Sequence, residues 1–411
     1  MPVQTLDLSE KCDELSSLLK RVSSAKRFVV VTGAGISVNC GIPDFRSSGG
    51  IFQQIQKKHP NLVTSGRDLF DASVVFRSQK AADVFYEWMT SLRGQFKKAE
   101  PGPVHRFIRT LADRGSLLRN YTQNIDGLEA KAGLNVWDPN GDVAWQKADT
   151  VPLHGSMEHL KCQLCSSTYP FDGNLGAGDA CLDCSTRSLI REAMGRRALP
   201  SGKLRPTVVL YEEPHPHSED IAKIISHDTR ALSSRRSTSK LTDVVLVFGT
   251  TLKVPGCKQL VKQLAGAATL TVVVNNEPVC GKAWDSVVDF QVIGAAEEWC
   301  AKVERLWNAQ TKITQWTKAR KSANVLRETG KSRMAKENAV KKENAPAHSK
   351  TPTGSKKRSR DTDDGDNNAD GEAQPKKARR HQNDENYVID HSACRSPRLA
   401  EKKDLRPTVC L

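Results

Sequence analysis

The chain has 411 residues and a formal net charge of +15, from 62 lysine and arginine side chains against 47 acidic ones. This length fits two or three average domains, or one large domain followed by a tail. Its apolar runs are far shorter than the roughly 20 residues that span a membrane, and its first residues follow no secretory or mitochondrial leader pattern. We therefore expect a soluble intracellular protein with no membrane partner.

Most of the excess charge lies in residues 310–411, which hold 24 basic and 14 acidic side chains but only ten Leu, Ile, Val or Phe. Such a segment buries too little apolar surface to offset the entropy lost on ordering, so a disordered basic tail is predicted. Its two basic clusters, Lys356–Arg360 and Pro375–Arg380, are typical of a bipartite nuclear import signal. We expect a nuclear protein; the alternative is a solvated tail that no receptor recognises.

The first strong element along the chain is Phe28–Thr32, a continuous apolar run that ends in the glycine turn Gly33-Ala34-Gly35. Buried strands alternating with helices predict an α/β fold with a Rossmann-like, doubly wound parallel sheet. A glycine turn after the first strand suits a bound phosphate, but many purely structural turns look the same. Four similar runs follow: Leu117–Thr122, Thr207–Tyr211, Val244–Gly249 and Leu270–Asn275.

Two stretches interrupt this alternation. Residues 47–100 lack strand patterns and contain helical ones, notably Ala81–Leu92, which predicts a helical insertion. Residues 156–205 contain paired cysteines and read as a small metal module. The large domain is then built from residues 1–46, 101–155 and 206–309, and the whole catalytic domain would cover residues 1–309.

The metal module is defined by two Cys-x-x-Cys pairs separated by fifteen residues. Two such pairs supply four thiolates from two tight turns, which is the set that tetrahedral zinc binds. Because four thiolates fill every coordination position, the ion would be structural and not catalytic. The alternative is a chance spacing of free thiols. The predicted ligands are Cys162, Cys165, Cys181 and Cys184.

Five further motifs occur in a fixed order along the chain. They are Gly33-Ala34-Gly35-Ile36-Ser37 with Asp44-Phe45-Arg46, Gln123-Asn124-Ile125-Asp126, His154-Gly155, Gly249-Thr250-Thr251, and Asn275-Asn276-Glu277. Together they resemble the motifs of the sirtuins, the NAD-dependent protein deacylases. The basic tail, Glu212 at a position that is usually glycine, and the spacing of Leu252–Gly256 resemble the fungal nuclear branch of that family, which acts on histones.

The resemblance implies NAD as a co-substrate and one structural zinc ion. It implies that His154 is the general base, which takes a proton from a ribose hydroxyl. Asn124 and Asp126 would lie near the ribose and the nicotinamide carboxamide. The implied cofactor-binding residues are Gly33, Ala34, Gly35, Ser37, Asp44, Phe45, Arg46, Gln123, Asn124, Ile125, Asp126, Gly249, Thr250, Thr251, Asn275, Asn276, Glu277 and Ala296.

The implied function is NAD-dependent deacetylation of histones or other acetyl-lysine proteins in chromatin, yielding nicotinamide, O-acetyl-ADP-ribose and free lysine. Two alternatives stay open: a protein mono-ADP-ribosyltransferase on the same fold, and a chromatin-binding module without catalysis. Two polar insertions, Trp137–Thr150 and Ser226–Lys240, are predicted as solvated surface loops. The basic second loop and the tail leave contact with nucleosomal DNA open.

Two residues of the helical insertion bear on the acyl group. Tyr86 and Met89 stand where the resemblance places the acyl pocket, with Met89 in place of the arginine of the desuccinylase branch. Because an unpaired carboxylate in an apolar pocket is unfavourable, a neutral acyl group is expected. The alternative is that this helix only packs, with both side chains in the core.

Overall fold

The computed structural model describes residues 1–47, 49–60, 65–139, 141, 143–233, 243–313 and 316–317. Both basic clusters of the predicted tail, and the basic part of the second insertion from residue 234 on, lie outside these residues. Within them, none of the helices combines the length and the hydropathy that crossing a bilayer requires.

Strands and helices alternate along the chain. The strands are β1 (Gln4–Asp7), β2 (Arg27–Thr32), β3 (Leu117–Thr122), β4 (Thr150–Pro152), β5 (Gly155–Cys162), β6 (Thr168–Pro170), β7 (Leu204–Val208), β8 (Asp243–Phe248), β9 (Leu270–Asn275) and β10 (Phe290–Ile293). The helices are α1 (Asp13–Ser24), α2 (Ile51–Lys58), α3 (Ala72–Val75), α4 (Gln79–Lys98), α5 (Pro103–Asp113), α6 (Leu128–Lys131), α7 (Leu182–Ala193), α8 (Ser218–Ser233), α9 (Pro255–Ala267) and α10 (residues 296–313).

Seven strands form one parallel sheet in the order β1-β10-β9-β8-β2-β3-β4. β2 pairs with β8 from Arg27 opposite Asp243 to Thr32 opposite Phe248, and with β3 on its other side. The chain therefore builds outwards from β2 in both directions. This order confirms the predicted doubly wound, Rossmann-like sheet.

Helices cover both faces of this sheet. Phe28 and Val30 of β2 pack into a core shared with α1, α5 and α10, whereas Val29 and Val31 pack into a second core shared with α8 and α9. A strand that is buried on both faces needs apolar side chains at every position. This explains why β2 and β8 appear in the sequence as unbroken apolar runs.

The run Thr207–Tyr211 is an exception, because its prediction as a strand of the parallel sheet is wrong. β7 instead pairs antiparallel with β5 in a separate three-stranded sheet of order β6-β5-β7. Its side chains are alternately buried and half-buried, as expected for a strand with one face on a core. The apolar content of the run is similar to that of the parallel strands. Its alternating burial is instead that of a strand in the small sheet.

The small sheet and the helical insertion share a third hydrophobic core. Met89 of α4 is fully buried there, and the Tyr86 hydroxyl donates a hydrogen bond to Gln163 Oε1 at 2.9 Å. Both side chains therefore join α4 to the cysteine-containing module. This arrangement agrees with the alternative stated above, in which the helix only packs and both side chains belong to the core.

The two insertions predicted as solvated loops differ in outcome. The first is exposed at most of its described positions from 139 to 147 and is held by buried residues at its two ends, whereas the described part of the second is helical and not a loop. Trp137 and Ala148 are buried, and residues 226–233 form the last two turns of α8. The buried Arg119 of β3 donates Nε to Asp228 of α8 at 3.0 Å and Nη1 to the Trp145 carbonyl at 2.9 Å. A single guanidinium thus fastens both segments to the sheet.

This ion pair yields a stability prediction. Asp228→Ala leaves the Arg119 charge buried without its partner, so we expect the free energy of unfolding to fall by about 3–5 kcal/mol. The matched control is Asp220→Ala on the same helix, where an exposed pair with Lys223 should contribute less than about 1 kcal/mol. Urea denaturation of the three proteins measures both values, and equal losses would contradict the assignment.

Candidate active site

The predicted site residues follow the carboxyl ends of β2, β3, β4, β8 and β9. In a parallel sheet these ends meet at one edge, with neighbouring strands about 4.8 Å apart. His154 follows β4, and Asn275 is the last residue of β9, four strand spacings away, so the residues extend over about 19 Å. The direction of strand order changes at β2, which is where open α/β sheets bind ligands.

Glycines allow the loops after β2 and β8 to touch. The Gly33 amide donates to the Phe248 carbonyl at 3.0 Å, and the Gly35 amide donates to the Gly249 carbonyl at 2.9 Å. A Cβ on Gly35 would lie 2.8 Å from Gly249 Cα, and Gly249 itself has a φ of +59°. Side chains are therefore excluded from this crossing, which leaves bare backbone at the centre of the edge.

A buried polar network lines a small cavity beside this crossing. Ser37 Oγ donates to Asp126 Oδ2 at 2.7 Å and accepts from Asn124 Nδ2 at 3.3 Å. Asn124 Oδ1 is buried and has no hydrogen-bond partner among the described residues. An unpaired buried acceptor is unfavourable, so this oxygen is suited to a donor on a ligand. Ala34, Phe45 and Ile125 complete the lining.

His154 is held in one tautomer. Its Nδ1 lies 2.9 Å from the Gln123 carbonyl oxygen, which can only accept, so the ring proton is on Nδ1 and the Nε2 lone pair is free. Burial, opposed by that hydrogen bond and assisted by the charge of Arg46, lowers the pKa of His154. The imidazole is therefore neutral at pH 7 and can accept a proton.

Gln123 connects this histidine to the loop after β8. Its Nε2 donates to Thr250 Oγ1 at 2.9 Å, while its backbone carbonyl contacts the His154 ring. Arg46 reaches the same loop, because its Nη1 donates to Thr251 Oγ1 at 3.2 Å. Side chains from β2, β3, β4 and β8 are thereby joined in one constellation.

The turn before α2 positions Arg46. Asp44 Oδ1 accepts the backbone amides of Arg46 and Ser47 at 2.8 and 2.7 Å, a local pattern that fixes the turn. Phe45 packs edge-to-face on Phe70, with ring centroids 5.3 Å apart. The aromatic ring therefore stands at the cavity while the guanidinium remains exposed.

Four predicted residues lie outside this constellation. Asn276 and Glu277 are exposed beyond β9, and Asn275 Nδ2 donates to the Glu277 carbonyl at 3.3 Å. Ala296 begins α10, and its methyl group is buried in the first core. The structure thus gathers the residues of the first four motifs around β2 and leaves these four residues at or beyond the end of the edge.

The two segments in which the sequence resembles the fungal branch show an unusual backbone. Glu212 and Leu252 have φ values of +61° and +52°, in the left-handed region that side chains rarely adopt. Glu213 anchors the first loop, since its two carboxylate oxygens accept from the Arg205 guanidinium at 2.7 Å each. The glycine-type conformation at Glu212 is thus present although the glycine is not.

The four predicted cysteine ligands meet beside the small sheet. Their sulfur atoms all lie within 4.8 Å of one another, with 3.8 Å between Cys162 and Cys184 and 3.5 Å between Cys165 and Cys181. Zn–S bonds of about 2.3 Å in a tetrahedron put sulfurs about 3.8 Å apart. The amides of Leu164 and Cys165 point at Cys162 Sγ, at 3.3 and 3.4 Å, as they would at a thiolate. The donor set fits a structural zinc ion.

Comparison with known proteins agrees with this geometry. The Sir2 family model matches residues 33–256. The chain belongs to the Sir2 family. Among solved structures it is similar to that of a Sir2 homologue in complex with NAD, with a TM-score of 0.53 and 20% identity over 75% of this chain and 97% of the other. That likeness concerns the fold.

Fungal proteins are prominent among the relatives. The NAD-dependent histone deacetylase HST3 of Saccharomyces cerevisiae is 34% identical over 76% of this chain and 73% of its own length. The HST3 protein of Candida albicans is 35% identical over 69% of this chain, and hst4 of Schizosaccharomyces pombe is 40% identical over 61%. The match spans only 60% and 59% of those two proteins.

Two buried residues near the cavity, His105 and Glu129, were missed as functional candidates. Both lie within hydrophobic helical segments, and Glu129 stands only three residues after Asp126. The proximity of His105 to Asp126 arises from the packing of α5 near the loop after β3, and spacing along the sequence does not reveal it.

The metal site gives a second prediction. Cys162→Ser removes one thiolate, so we expect the zinc content to fall from about one ion per chain and the melting temperature to fall with it. Cys280→Ser, outside the cluster, should change neither. Elemental analysis and a thermal melt measure this, and an unchanged melting temperature in a zinc-free variant would contradict the structural role.

Proposed function

We propose that this protein is an NAD-dependent protein lysine deacetylase that acts on acetylated histones in the nucleus. The observation that carries the proposal is the His154 imidazole, which is neutral and has its Nε2 lone pair free. It lies at the edge where a Sir2-family sheet presents the unpaired Asn124 Oδ1. The printed names of the fungal relatives, NAD-dependent histone or protein deacetylases, support it.

The residues present fit NAD. The glycine crossing leaves backbone that a diphosphate can approach. The unpaired Asn124 Oδ1 can accept a hydrogen bond from a hydroxyl or amide group. When bound, NAD would supply a ribose that loses nicotinamide and receives the acyl group of the lysine, so that NAD, acetyl-lysine and one water give nicotinamide, O-acetyl-ADP-ribose and free lysine. The backbone of Ala34 and Gly35, the hydroxyl groups of Thr250 and Thr251, and Asn275 to Glu277 would hold it along the edge.

The chain's own residues then have separate tasks. His154 Nε2 accepts a proton from a ribose hydroxyl, and the Gln123 carbonyl keeps the ring in the required tautomer. Phe45 shields the cavity from water, and Arg46 places a positive charge beside Thr251. An ordered, dry arrangement of this kind lowers the barrier because little reorganisation is needed during the reaction.

The substrate lysine is proposed to enter on an extended peptide between Val209–Glu213 and Leu252–Pro255. Such a peptide adds a strand through backbone hydrogen bonds. The strand-like loop already bonds to the site, since the Val209 amide donates to the His154 carbonyl at 3.0 Å. The acyl-lysine side chain would thereby be aimed past His154.

Nuclear residence and the histone substrate rest on the basic clusters and on the relatives' names. The division into a catalytic domain of residues 1–309 and a tail of residues 310–411 belongs to the same proposal, although α10 continues to residue 313. Contact of the basic loop and tail with nucleosomal DNA would follow from their charge.

A release assay tests the function. The full chain, with zinc, is incubated with NAD and an acetylated histone peptide, and nicotinamide is measured with and without the peptide. The proposal expects release only with the peptide, in step with its deacetylation. Release that does not need the peptide would instead favour mono-ADP-ribosyl transfer, and no release would favour a chromatin-binding module.

The general base gives a third prediction. His154→Ala removes the proton acceptor, so we expect kcat/KM for the acetyl-peptide to fall by about 10²- to 10⁴-fold while the melting temperature stays near that of the wild type. His159→Ala, on β5 and partly exposed, is the matched control and should stay within a few-fold. Equal activity of the two variants would refute the assignment.

The pH dependence of kcat/KM gives a fourth prediction. Because the pKa of His154 is lowered, the neutral base persists to more acidic pH, and the acidic limb of kcat/KM should lie below the usual histidine value of about 6.5. Arg46→Gln removes a charge that disfavours the imidazolium, so the limb should move to higher pH, whatever the absolute rate. A limb that stays in place would show that Arg46 does not act on His154.

A further inference from the structure

A buried cluster contains Asp126, and its two other members are not among the residues that line the cavity. It consists of Asp126, His105 in the first turn of α5 and Glu129 in α6, with their nitrogen and oxygen atoms within 4.8 Å of one another. His105 is 0% and Glu129 2% exposed. Within the described part of the chain, His105 Nε2 and Glu129 Oε1 have no hydrogen-bond partner. Two unpaired polar atoms beside a site residue call for an explanation.

The tautomer of His105 excludes a metal site. The Gly102 amide donates to His105 Nδ1 at 3.2 Å, so the ring proton must be on Nε2. A metal ion would need the Nε2 lone pair, which that proton occupies. Burial, followed by the charge of Arg106, lowers the pKa of His105 to about 4, so the ring is a neutral donor at pH 7.

The two carboxyl groups are not equivalent. The Asp126 carboxylate accepts from Ser37 Oγ at 2.7 Å and from the Leu128 amide at 3.0 Å, whereas Glu129 has Oε1 without a partner and a contact with the Thr122 side chain. Two carboxylates this close and this buried do not both ionise readily. Asp126, which accepts more hydrogen bonds, therefore carries the charge and Glu129 carries the proton.

The surroundings of the two carboxyl groups agree with a charged Asp126 and a protonated Glu129. Burial, followed by the negative charge of Asp126, raises the pKa of Glu129 to about 8, against an opposing hydrogen bond from the Thr122 side chain. Burial raises the pKa of Asp126 too, but its two hydrogen bonds and the charge of Lys131 act in the opposite direction. Cys40, which also faces Asp126, is kept neutral by a raised pKa due mainly to burial.

We propose that His105 and Glu129 are positioning residues that hold one proton beside Asp126, so that Asp126 presents a single, oriented negative charge to the cavity. This inference rests on the proposed function, because the group that Asp126 would receive is the carboxamide N–H of the nicotinamide half of NAD. A carboxylate can only accept, which matches that donor. Glu129 and His105 act through Asp126 and touch no substrate.

The pair sets an upper pH limit. Above about pH 8 Glu129 loses its proton, and two negative charges then face each other in a water-poor space. Asp126 no longer holds its place, and the carboxamide is bound less tightly. Glu129→Gln keeps the size and the donor capacity of the protonated acid but cannot ionise.

The kinetic test compares the KM for NAD from pH 7 to pH 9. We expect a severalfold rise in the wild type with a smaller change in kcat, and no rise in Glu129→Gln. The surface variant Glu100→Gln is the matched control and should follow the wild type. The proposal is overturned if Glu129→Gln shows the same rise as the wild type.

A second test needs no activity. The native state holds a proton on Glu129 that the unfolded chain releases near pH 4.5, so this group stabilises the protein at low pH and its contribution is lost as pH rises towards 8. The melting temperature of Glu129→Gln relative to wild type should therefore increase from pH 5 to pH 8. A difference that is constant with pH would contradict the proposal.

If Glu129→Gln does not fold, the wild type alone decides. Infrared spectroscopy with isotope-labelled glutamate should show a protonated glutamate carboxyl at pH 7 that disappears as the pH passes about 8. If this band is absent at pH 7, Glu129 does not hold the proton and the proposal is refuted. A chain without peptide-dependent nicotinamide release would refute the proposed function, while the thermal and infrared results would still report on the proton.

Discussion

Parallel pairing of β2 with β3 on one side and with β8 on the other is the constraint on which the site depends. It puts the carboxyl ends of these strands at one edge, so that loops distant in sequence become neighbours. Gly33, Gly35 and Gly249 then let the β2 and β8 loops cross with backbone in contact. Every side chain argued to act at the cavity is placed relative to that crossing.

The polar groups of the edge are mostly satisfied by one another. Ser37, Gln123 and Thr250 have hydrogen bonds that hold them in one geometry before any ligand arrives. The exceptions are informative, because an unsatisfied buried atom is unfavourable unless something else pairs with it. Asn124, whose Oδ1 is unpaired, lines the cavity, whereas His105 and Glu129, with unpaired Nε2 and Oε1 atoms, do not. The first indicates a ligand contact and the other two indicate a shared proton.

The sequence predicted the elements whose signal is local. Continuous apolar runs indicated the central strands, the two Cys-x-x-Cys pairs indicated the metal module, and ordered motifs indicated the edge residues. It failed where polar residues are buried by partners far away in the chain. Arg119 and Asp228 are 109 positions apart, and their pairing anchors segments whose composition indicated solvated loops. The strand Leu204–Val208 was assigned to the parallel sheet because its apolar composition is similar to that of the parallel strands, but it belongs to the small antiparallel sheet.

Binding of NAD along the β2–β8 edge is the central claim, and it can be mapped directly. Amide chemical shifts of the deuterated, zinc-loaded chain are recorded while NAD is added. The account predicts that the largest changes fall on residues 33–37, 123–126 and 249–251, and that they are lost in Gly35→Ala, whose new Cβ would lie 2.8 Å from Gly249 Cα. Saturable changes confined to other parts of the chain, or unaltered binding by Gly35→Ala, would contradict it.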